Sequence, residues 1–250
     1  MRALITGASR RIGAAIARDL AANGWQLALH HYSSEQEMDQ LVSELPISDG
    51  PHFALQANLS QVSEVRALFG EAWDALGGIE LVINNASVFE PDEADALDLE
   101  LWDEHFAVHL RAPALLGEAL AARHEVGDDR LIINMVDQRV WALTPRFFSY
   151  TLSKSALWTA TQTMAQAFAP RGLRVNAIGP GPTLPNPRQD QADFDAQVQA
   201  LPLGAGPGLT EFGATVRYLW GAKSVTGQMV ALDGGQHLAW ETPDVTSGRE

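Results

Sequence analysis

Short apolar runs alternate with longer segments of helical spacing along the chain. In most of the short runs the apolar residues are nearly continuous, which predicts strands covered on both faces. The predicted strands are 2–6, 26–31, 52–57, 81–85, 130–136, 173–178 and 228–232. The helical segments between them are 11–23, 35–45, 61–76, 98–122, 147–169 and 209–221. This alternation predicts an α/β fold, in which a doubly wound parallel sheet of about seven strands carries helices on both faces.

One segment, 179–208, departs from this rhythm because it is rich in Pro and Gly. It follows a predicted strand at the carboxyl edge of the sheet, where ligands bind in such folds. Long loops in compact domains are usually functional, so we interpret it as a substrate lid. The alternative is an ordinary surface excursion. Without a linker or an internal repeat, residues 1–250 are predicted to form a single domain with a flexible tail at 241–250.

Composition narrows the possible partners. The chain has 31 acidic and 17 basic residues and a net charge of −14, which argues against binding to nucleic acid or anionic membranes. The absence of Cys excludes disulfides and thiolate metal sites, and we predict no metal. No apolar run is long enough to span a membrane, and the first residues enter a strand without room for a signal segment. We therefore expect a cytoplasmic protein acting on a small molecule.

The stretch "TGASRRIG" at 6–13 predicts a phosphate-binding turn between a strand and a helix. Gly7 and Gly13 allow close approach, and the helix N-terminus attracts a pyrophosphate. Arg11 stands where the common turn has glycine, and its guanidinium suits a phosphate. The next strand ends without the acid that binds the ribose of NAD, and instead offers His31, Ser33 and Ser34. We infer NADP(H) as cofactor, the alternative being that Arg11 is a solvated surface residue.

Tyr150 and Lys154 lie four residues apart in a predicted helix and so share one face. A lysine ammonium favours a phenolate, so we expect the pKa of Tyr150 to fall from about 10 toward neutrality. Such a tyrosine can act as a general acid or base. The strand before this helix ends at Asp137, on the same edge of the sheet.

These motifs, with "NNAS" at 84–87, "RVNAIGPG" at 174–181 and "DGG" at 233–235, resemble the short-chain dehydrogenase/reductase family from residue 2 to about 238. The resemblance implies a Rossmann-type sheet and homo-oligomers, dimers or tetramers, formed through helices 98–122 and 147–169. It assigns proton transfer to Tyr150, and ribose binding to Lys154. The other cofactor contacts it implies are Ser9 and Ile12 in the turn, Asn58 and Leu59 beside the adenine, Asn85, Ala86 and Ser87 centrally, and Pro180 and Gly181 at the nicotinamide.

Two departures from the family pattern point to a subgroup. Asp137 replaces the usual serine, and His109 replaces the usual asparagine. A carboxylate donates no hydrogen bond unless protonated, so Asp137 either holds a proton through burial or binds substrate N–H groups. Pteridine reductases, including bacterial dihydromonapterin and dihydrofolate reductases, resemble this chain at Arg11 and Asp137. That resemblance makes Phe89 the residue that stacks on the pterin.

Two further residues complete the candidate site. His109 is assigned to the catalytic group, where its ring would hold a relay water, although a buried core histidine is the alternative. Trp141 lies in the loop between Asp137 and Tyr150 and is assigned to the substrate site.

The sequence thus predicts an NADPH-dependent reductase that transfers hydride to a C=N carbon of a dihydropterin or dihydrofolate. Two alternatives remain open at this point. One is a reductase of a ketone, an aldehyde or a 3-oxoacyl group, and the other is a catalytically idle NADP-binding sensor.

Overall fold

The computed structural model describes residues 1–47, 50–186 and 188–240, and contains one seven-stranded parallel sheet. The strand order is β3-β2-β1-β4-β5-β6-β7, and every neighbouring pair is parallel. The strands are β1 Arg2–Ile5, β2 Gln26–His31, β3 Phe53–Gln56, β4 Leu81–Asn84, β5 Leu131–Met135, β6 Arg174–Pro180 and β7 Met229–Leu232. The predicted doubly wound fold is confirmed. The predicted tail at 241–250 lies outside the described residues.

The helices are α1 Arg11–Ala22, α2 Glu35–Glu44, α3 Val62–Leu76, α4 Leu99–Phe106, α5 Ala112–Ala122, α6 Phe148–Phe168, α7 Gln191–Gln199 and α8 Leu209–Gly221. Two differ from the predicted pattern. The segment predicted as one helix at 98–122 contains a π-helical turn, Ala107–Arg111, between α4 and α5. The segment 179–208 is not all loop, because it begins inside β6 and includes α7. No helix in the described part of the chain is long and apolar enough to cross a membrane.

The sheet separates two buried layers because successive residues of a strand face opposite sides. Ile5 packs on one side with Phe212 of α8. Leu4 packs on the other side with Phe69 of α3 and Leu116 of α5. This double cover explains why the strands are apolar at nearly every position.

The chain order reverses between β1 and β4, which are neighbours in the sheet. At such a switch point the connections leave in opposite directions and open a crevice beyond the carboxyl ends of the strands. The segments that follow β1, β4, β5 and β6 therefore meet at this crevice.

Replacing Phe212 with alanine should lower the free energy of unfolding by about 3–5 kcal/mol, because its ring is fully buried and leaves a cavity. Urea denaturation measures the change. Tyr218→Ala, on the exposed face of the same helix, is the matched control and should change stability far less. Equal losses in the two variants would contradict the assigned core.

Candidate active site

The turn between β1 and α1 leaves no space for side chains at its two key glycines. Gly7 has φ of +61°, and a Cβ there would lie 2.8 Å from the Cα of Ala86. A Cβ on Gly13 would lie 2.3 Å from the carbonyl oxygen of Gly7. Asn85 donates from its side chain to the carbonyl oxygens of Thr6 and Gly7, at 3.0 and 2.9 Å. The end of β4 is thus tied to a close-packed, glycine-dependent turn that leads into the N-terminus of α1.

Arg11 begins α1 with φ of +54°, a conformation that suits glycine and costs a larger residue on the order of 1 kcal/mol or more. Its guanidinium donates to the carbonyl oxygens of Leu184 and Pro185, at 3.0 and 2.9 Å. Arg11 therefore joins the phosphate turn to the segment after β6. This position differs from the expected one, in which Arg11 faces the end of β2 and a 2′-phosphate.

Arg10, which the sequence pattern did not single out, is a basic residue that reaches toward α2, the helix that follows β2. Its guanidinium lies 3.8 Å from the carboxylate of Glu37 in α2. Ser9 and Ser34 share a hydrogen bond between their hydroxyls. His31 is buried, and Ser33 is exposed beside it. In the sequence, the signal for a role of Arg10 was that two consecutive arginines, Arg10 and Arg11, stand in the turn. The fold is needed to show that their side chains point in different directions.

After β3, Asn58 makes two hydrogen bonds to the residues that follow it. Its side-chain oxygen accepts from the backbone N–H of Ser60, and its backbone N–H donates to a carboxylate oxygen of Glu64. Leu59 is buried next to it, whereas Ile12 packs against the core from the first turn of α1.

Tyr150, Lys154 and Asp137 are brought together where β5 meets α6. The Tyr150 hydroxyl donates to Asp137 Oδ2 at 2.9 Å. Lys154 Nζ donates to the carbonyl oxygen of Met135 at 2.8 Å and lies 5.7 Å from the centre of the Tyr150 ring. The i, i+4 spacing on α6 turns both side chains toward the same strand end, as the sequence predicted.

The direction of the pKa shift of Tyr150 differs from the expectation. Burial, followed by the charge and hydrogen bond of Asp137, raises the pKa of Tyr150 well above its usual value. Burial lowers the pKa of Lys154 to about 8, against the opposing charge of Asp137. The expected fall in the Tyr150 pKa is therefore wrong, because burial favours the neutral phenol and the group that contacts its hydroxyl is a carboxylate and not the ammonium.

His109 lies in the π-helical turn with both ring nitrogens engaged. Nε2 accepts the backbone N–H of Val88 at 3.0 Å and contacts the Ser87 hydroxyl at 3.0 Å. Because a backbone N–H can only donate, Nε2 carries no proton and the proton lies on Nδ1. Nδ1 then donates to Ser153 Oγ at 2.8 Å, and Ser153 donates to the carbonyl oxygen of Tyr150.

The structure therefore makes His109 a neutral clamp between the segment after β4 and α6. Burial first, and then the charge of Lys154, lowers its pKa well below the usual value. Because protein groups occupy both ring nitrogens, His109 has no free nitrogen with which to hold the expected relay water. A π-helical turn often marks a functional site, and here it directs the imidazole inward.

Phe89 contacts Tyr150 edge-on, with ring centres 4.7 Å apart, and stacks in parallel on Phe147 at 4.4 Å. Phe147 precedes α6 with φ of +58°, a strained conformation for a bulky residue. The sequence pattern did not indicate this partner. Trp141 packs instead against His237 and Trp158, at 5.1 and 6.2 Å, so it lies beside the turn at 233–235.

The segment after β6 is fastened on two sides of the crevice. Arg188 donates to the carbonyl oxygen of Phe89 at 2.6 Å and pairs with Glu90 at 2.7 Å, while Arg11 holds Leu184. Pro180 closes β6, and Gly181 lies so close to the 233–235 turn that an added Cβ would be 2.6 Å from the Cα of Asp233. Among the described residues, no group of three or more His, Cys, Asp or Glu is arranged to hold a metal ion.

A glycine-lined turn at the switch point and a Tyr–Lys pair at the end of β5 define a dinucleotide-dependent oxidoreductase site. The family model described as Enoyl-(Acyl carrier protein) reductase matches residues 7–237, and the chain belongs to this family of short-chain dehydrogenases/reductases.

Two solved structures are similar over almost the whole chain. FolM alternative dihydrofolate reductase 1 from Brucella canis, complexed with NADP, is 52% identical, with a TM-score of 0.91 and 98% of each chain covered. The corresponding Brucella suis protein in complex with NADP is 54% identical, with a TM-score of 0.92 and 97% of each chain covered.

Curated relatives are more distant. The 3-oxoacyl-(acyl-carrier-protein) reductase FabG of Staphylococcus epidermidis is 27% identical, covering 94% of this chain and 98% of its own. The 3beta-hydroxysteroid dehydrogenase 1 of Eggerthella lenta is 31% identical, covering 94% of this chain and 93% of its own.

Replacing His109 with leucine should lower the free energy of unfolding by about 1–3 kcal/mol, since it removes the acceptor of the Val88 N–H. Glutamine supplies both an acceptor and a donor and should restore part of this loss. Because the folded-state pKa of His109 is lowered, its contribution is present above the unfolded pKa of about 6.5 and is lost as the pH falls below it.

Urea denaturation between pH 8 and pH 5 tests both effects. Burial lowers the pKa of His30 to about 4, so His30 contributes to the slope of stability against pH in every variant. The test therefore compares this slope between the wild type and each variant. His109→Gln should flatten the fall in stability below pH 6.5 relative to the wild type. An unchanged slope would show that His109 is not held neutral.

Proposed function

We propose that the protein is an NADPH-dependent reductase that transfers hydride to a C=N carbon of a pteridine ring, such as a dihydropterin or dihydrofolate. The observation that carries this proposal is the hydrogen bond from Tyr150 to Asp137, which puts a proton donor and a carboxylate acceptor side by side. A pterin has an amino group and ring N–H donors that match the carboxylate. The two FolM structures, at 52% and 54% identity, support the same reaction class.

The residues at the switch point fit a dinucleotide. An added Cβ at Gly7, Gly13 or Gly181 would clash with neighbouring protein atoms, so these glycines keep the close-packed turns that dinucleotide-binding folds place around the cofactor. We assign the 2′-phosphate to Arg10, with Ser9 and Ser34, because Arg10 reaches toward α2 and the two serines are hydrogen-bonded to each other just after β2. In this assignment Arg11 lies on the pyrophosphate side of the cofactor and holds the lid segment 179–208. NADPH supplies the hydride when bound.

In the proposed reaction the protein supplies the proton and the orientation. Tyr150 stays protonated through burial, so its hydroxyl can give a proton to the ring nitrogen next to the reduced carbon. Asp137 directs that hydroxyl and keeps further lone pairs for substrate N–H groups. Lys154 binds the nicotinamide ribose, and Phe89 stacks on the ring. His109 positions Ser87 and Val88 through its clamp.

The lid function of the segment 179–208 is part of this proposal. Its two arginine anchors hold it across the crevice, between the phosphate turn and the Phe89 segment. Trp141 stays a predicted substrate-site residue. Homo-oligomers built through α4, α5 and α6, and a cytoplasmic location, remain predictions.

A reductase of ketones or 3-oxoacyl groups is the second candidate, because the family description and the FabG relatives favour it. Asp137 argues against it, since an ionised carboxylate donates no hydrogen bond to a ketone oxygen. An idle NADP-binding sensor is disfavoured because Tyr150 is hydrogen-bonded to Asp137 and Lys154 Nζ lies 5.7 Å from the centre of the Tyr150 ring, so all three residues meet at one point.

Asp137→Ala should reduce kcat/KM for dihydropterin reduction by about 100-fold or more, because it removes both the substrate acceptor and the partner of Tyr150. The loss of NADPH absorbance measures the rate for dihydromonapterin, dihydrobiopterin, dihydrofolate and simple ketones. Asp137→Ser, which restores the family residue, should shift the ratio toward ketones. Wild-type turnover of ketones alone would establish the second candidate, and NADPH binding without any turnover would establish the sensor.

Arg10 and Arg11 should differ in cofactor discrimination. Arg10→Ala should weaken NADPH by about 10- to 100-fold while changing NADH little, since it removes a charged contact to the 2′-phosphate. Arg11→Ala should weaken both cofactors by similar factors and raise KM for the pteridine by loosening the lid. Protein fluorescence titration gives the Kd values. If Arg11→Ala weakened the binding of NADPH but not that of NADH, Arg11 and not Arg10 would be the residue that binds the 2′-phosphate.

A further inference from the structure

Asp92, in the segment between β4 and α4, caps the start of helix α6. Its carboxylate accepts the backbone N–H of Ser149 through both oxygens, at 3.0 and 3.2 Å, and its carbonyl oxygen accepts that of Phe148 at 3.1 Å. These are two of the N–H groups that the start of a helix leaves without an intrahelical partner. Phe147, where a capping side chain usually stands, has no polar group and forms no capping bond. The first turn of α6, which carries Tyr150, is therefore anchored by Asp92.

This arrangement differs from the acidic caps of α4 and α7. Asp98 and Asp190 each cap the helix that they immediately precede, and both are exposed. Asp92 is only 6% exposed and lies 57 residues from the N–H that its side chain accepts. Removing a carboxylate from water is costly, and an exposed local cap would satisfy the helix as well. The capping requirement alone therefore does not explain the remote, buried position of Asp92, whereas the segments that it connects do.

Asp92 connects two residues of the proposed reaction. Phe89 lies three positions before it in the chain, and Tyr150 directly follows Ser149. The rings of Phe89 and Tyr150 meet edge-on at 4.7 Å, so the path from Phe89 through Asp92 and Ser149 to Tyr150 closes on itself. Because the closed path is short, the two rings have little freedom to move apart.

A second set of contacts restricts the Tyr150 ring. Ser149 Oγ and Nδ1 of His105 share a hydrogen bond of 2.7 Å, and both residues are fully buried. The His105 ring stacks on His109 at 5.3 Å, and Tyr150 lies edge-on to these two imidazoles at 5.9 and 5.3 Å. The phenol ring thus lies in a socket formed by the two imidazoles and Phe89, and Ser149 binds this socket from the first turn of α6.

We propose that Asp92 is a positioning residue for proton transfer, which holds the Tyr150 hydroxyl at the correct distance from a ring stacked on Phe89. This inference rests on the roles of Tyr150 and Phe89 in the proposed function. Asp92 acts through the backbone of α6 and not on the substrate. Misplacing a reacting group by about 1 Å can cost roughly 100-fold in rate, so the anchor of the proton donor has a measurable kinetic effect.

The test measures the rate of a single turnover at saturating NADPH and dihydropterin, together with the Kd for NADPH. Asp92→Ala should slow the single turnover by about 10- to 100-fold, because Tyr150 loses its anchor, and should leave the Kd within about threefold. Asp92→Asn should recover most of the rate, since asparagine caps helices about as well as aspartate. Asp92→Glu should not recover it, because the added methylene moves the acceptor oxygens although the charge remains.

Asp98→Ala is the matched control, since it removes the acidic cap of α4 from the same segment and leaves the start of α6 untouched. It should lose stability in urea denaturation but keep the wild-type single-turnover rate. A wild-type rate in Asp92→Ala, or equal slowing in Asp98→Ala, would overturn the inference. If Asp92→Ala does not fold, Asp92→Asn and Asp92→Glu decide, and equal rates in these two variants would overturn it.

The same variants separate this inference from the proposed function. A wild type that reduces ketones and no pteridine would defeat the proposed pteridine reduction. The rates with the ketone would still test Asp92, because Tyr150 is the proton donor in either reaction. Turnover of dihydropterin at the wild-type rate in every Asp92 variant would defeat the positioning role alone. A wild type that turns over neither substrate would defeat both.

Discussion

The hydrogen bond between the Tyr150 hydroxyl and Asp137 Oδ2 is the contact on which the site depends. It exists because β5 ends where α6 passes over the sheet edge. Burial and the adjacent carboxylate together raise the pKa of the phenol, so it holds its proton more tightly than a free tyrosine does. Lys154, held by the carbonyl oxygen of Met135, acts nearby as a cation and not as a direct partner.

The elements around this contact are linked by polar side chains that each serve two segments. His109 ties the residues after β4 to α6 through Val88 and Ser153. Arg11 and Arg188 tie the segment after β6 to the phosphate turn and to Phe89. The turn after β1, the residues after β4, the segment after β6 and α6 are therefore mechanically connected, because a shift of one segment strains a hydrogen bond to the next.

The seven strands and the helix faces were predictable because apolar periodicity reports burial directly. The neighbourhood of Tyr150, Lys154 and Asp137 was also predictable, since parallel strands end at one edge and i, i+4 residues share a helix face. The π-helical turn within 98–122 could not be predicted, because it is associated with the tertiary contacts of His109 and not with a local sequence pattern. Helix α7 escaped prediction because its short polar sequence lies in a segment rich in Pro and Gly.

By itself, the sequence determined the order of the elements, the glycines of the phosphate turn and the replacement of a serine by Asp137. These are properties of residue type and spacing, which local sterics and periodicity translate into structure. Only the tertiary structure decided that Arg10 reaches toward α2 while Arg11 reaches toward the segment after β6, and that Phe147 stacks on Phe89. It also reversed the expected pKa shift of Tyr150. The physical reason is that direction and burial depend on neighbours distant in the chain, and these set the dielectric and the partners of each charge.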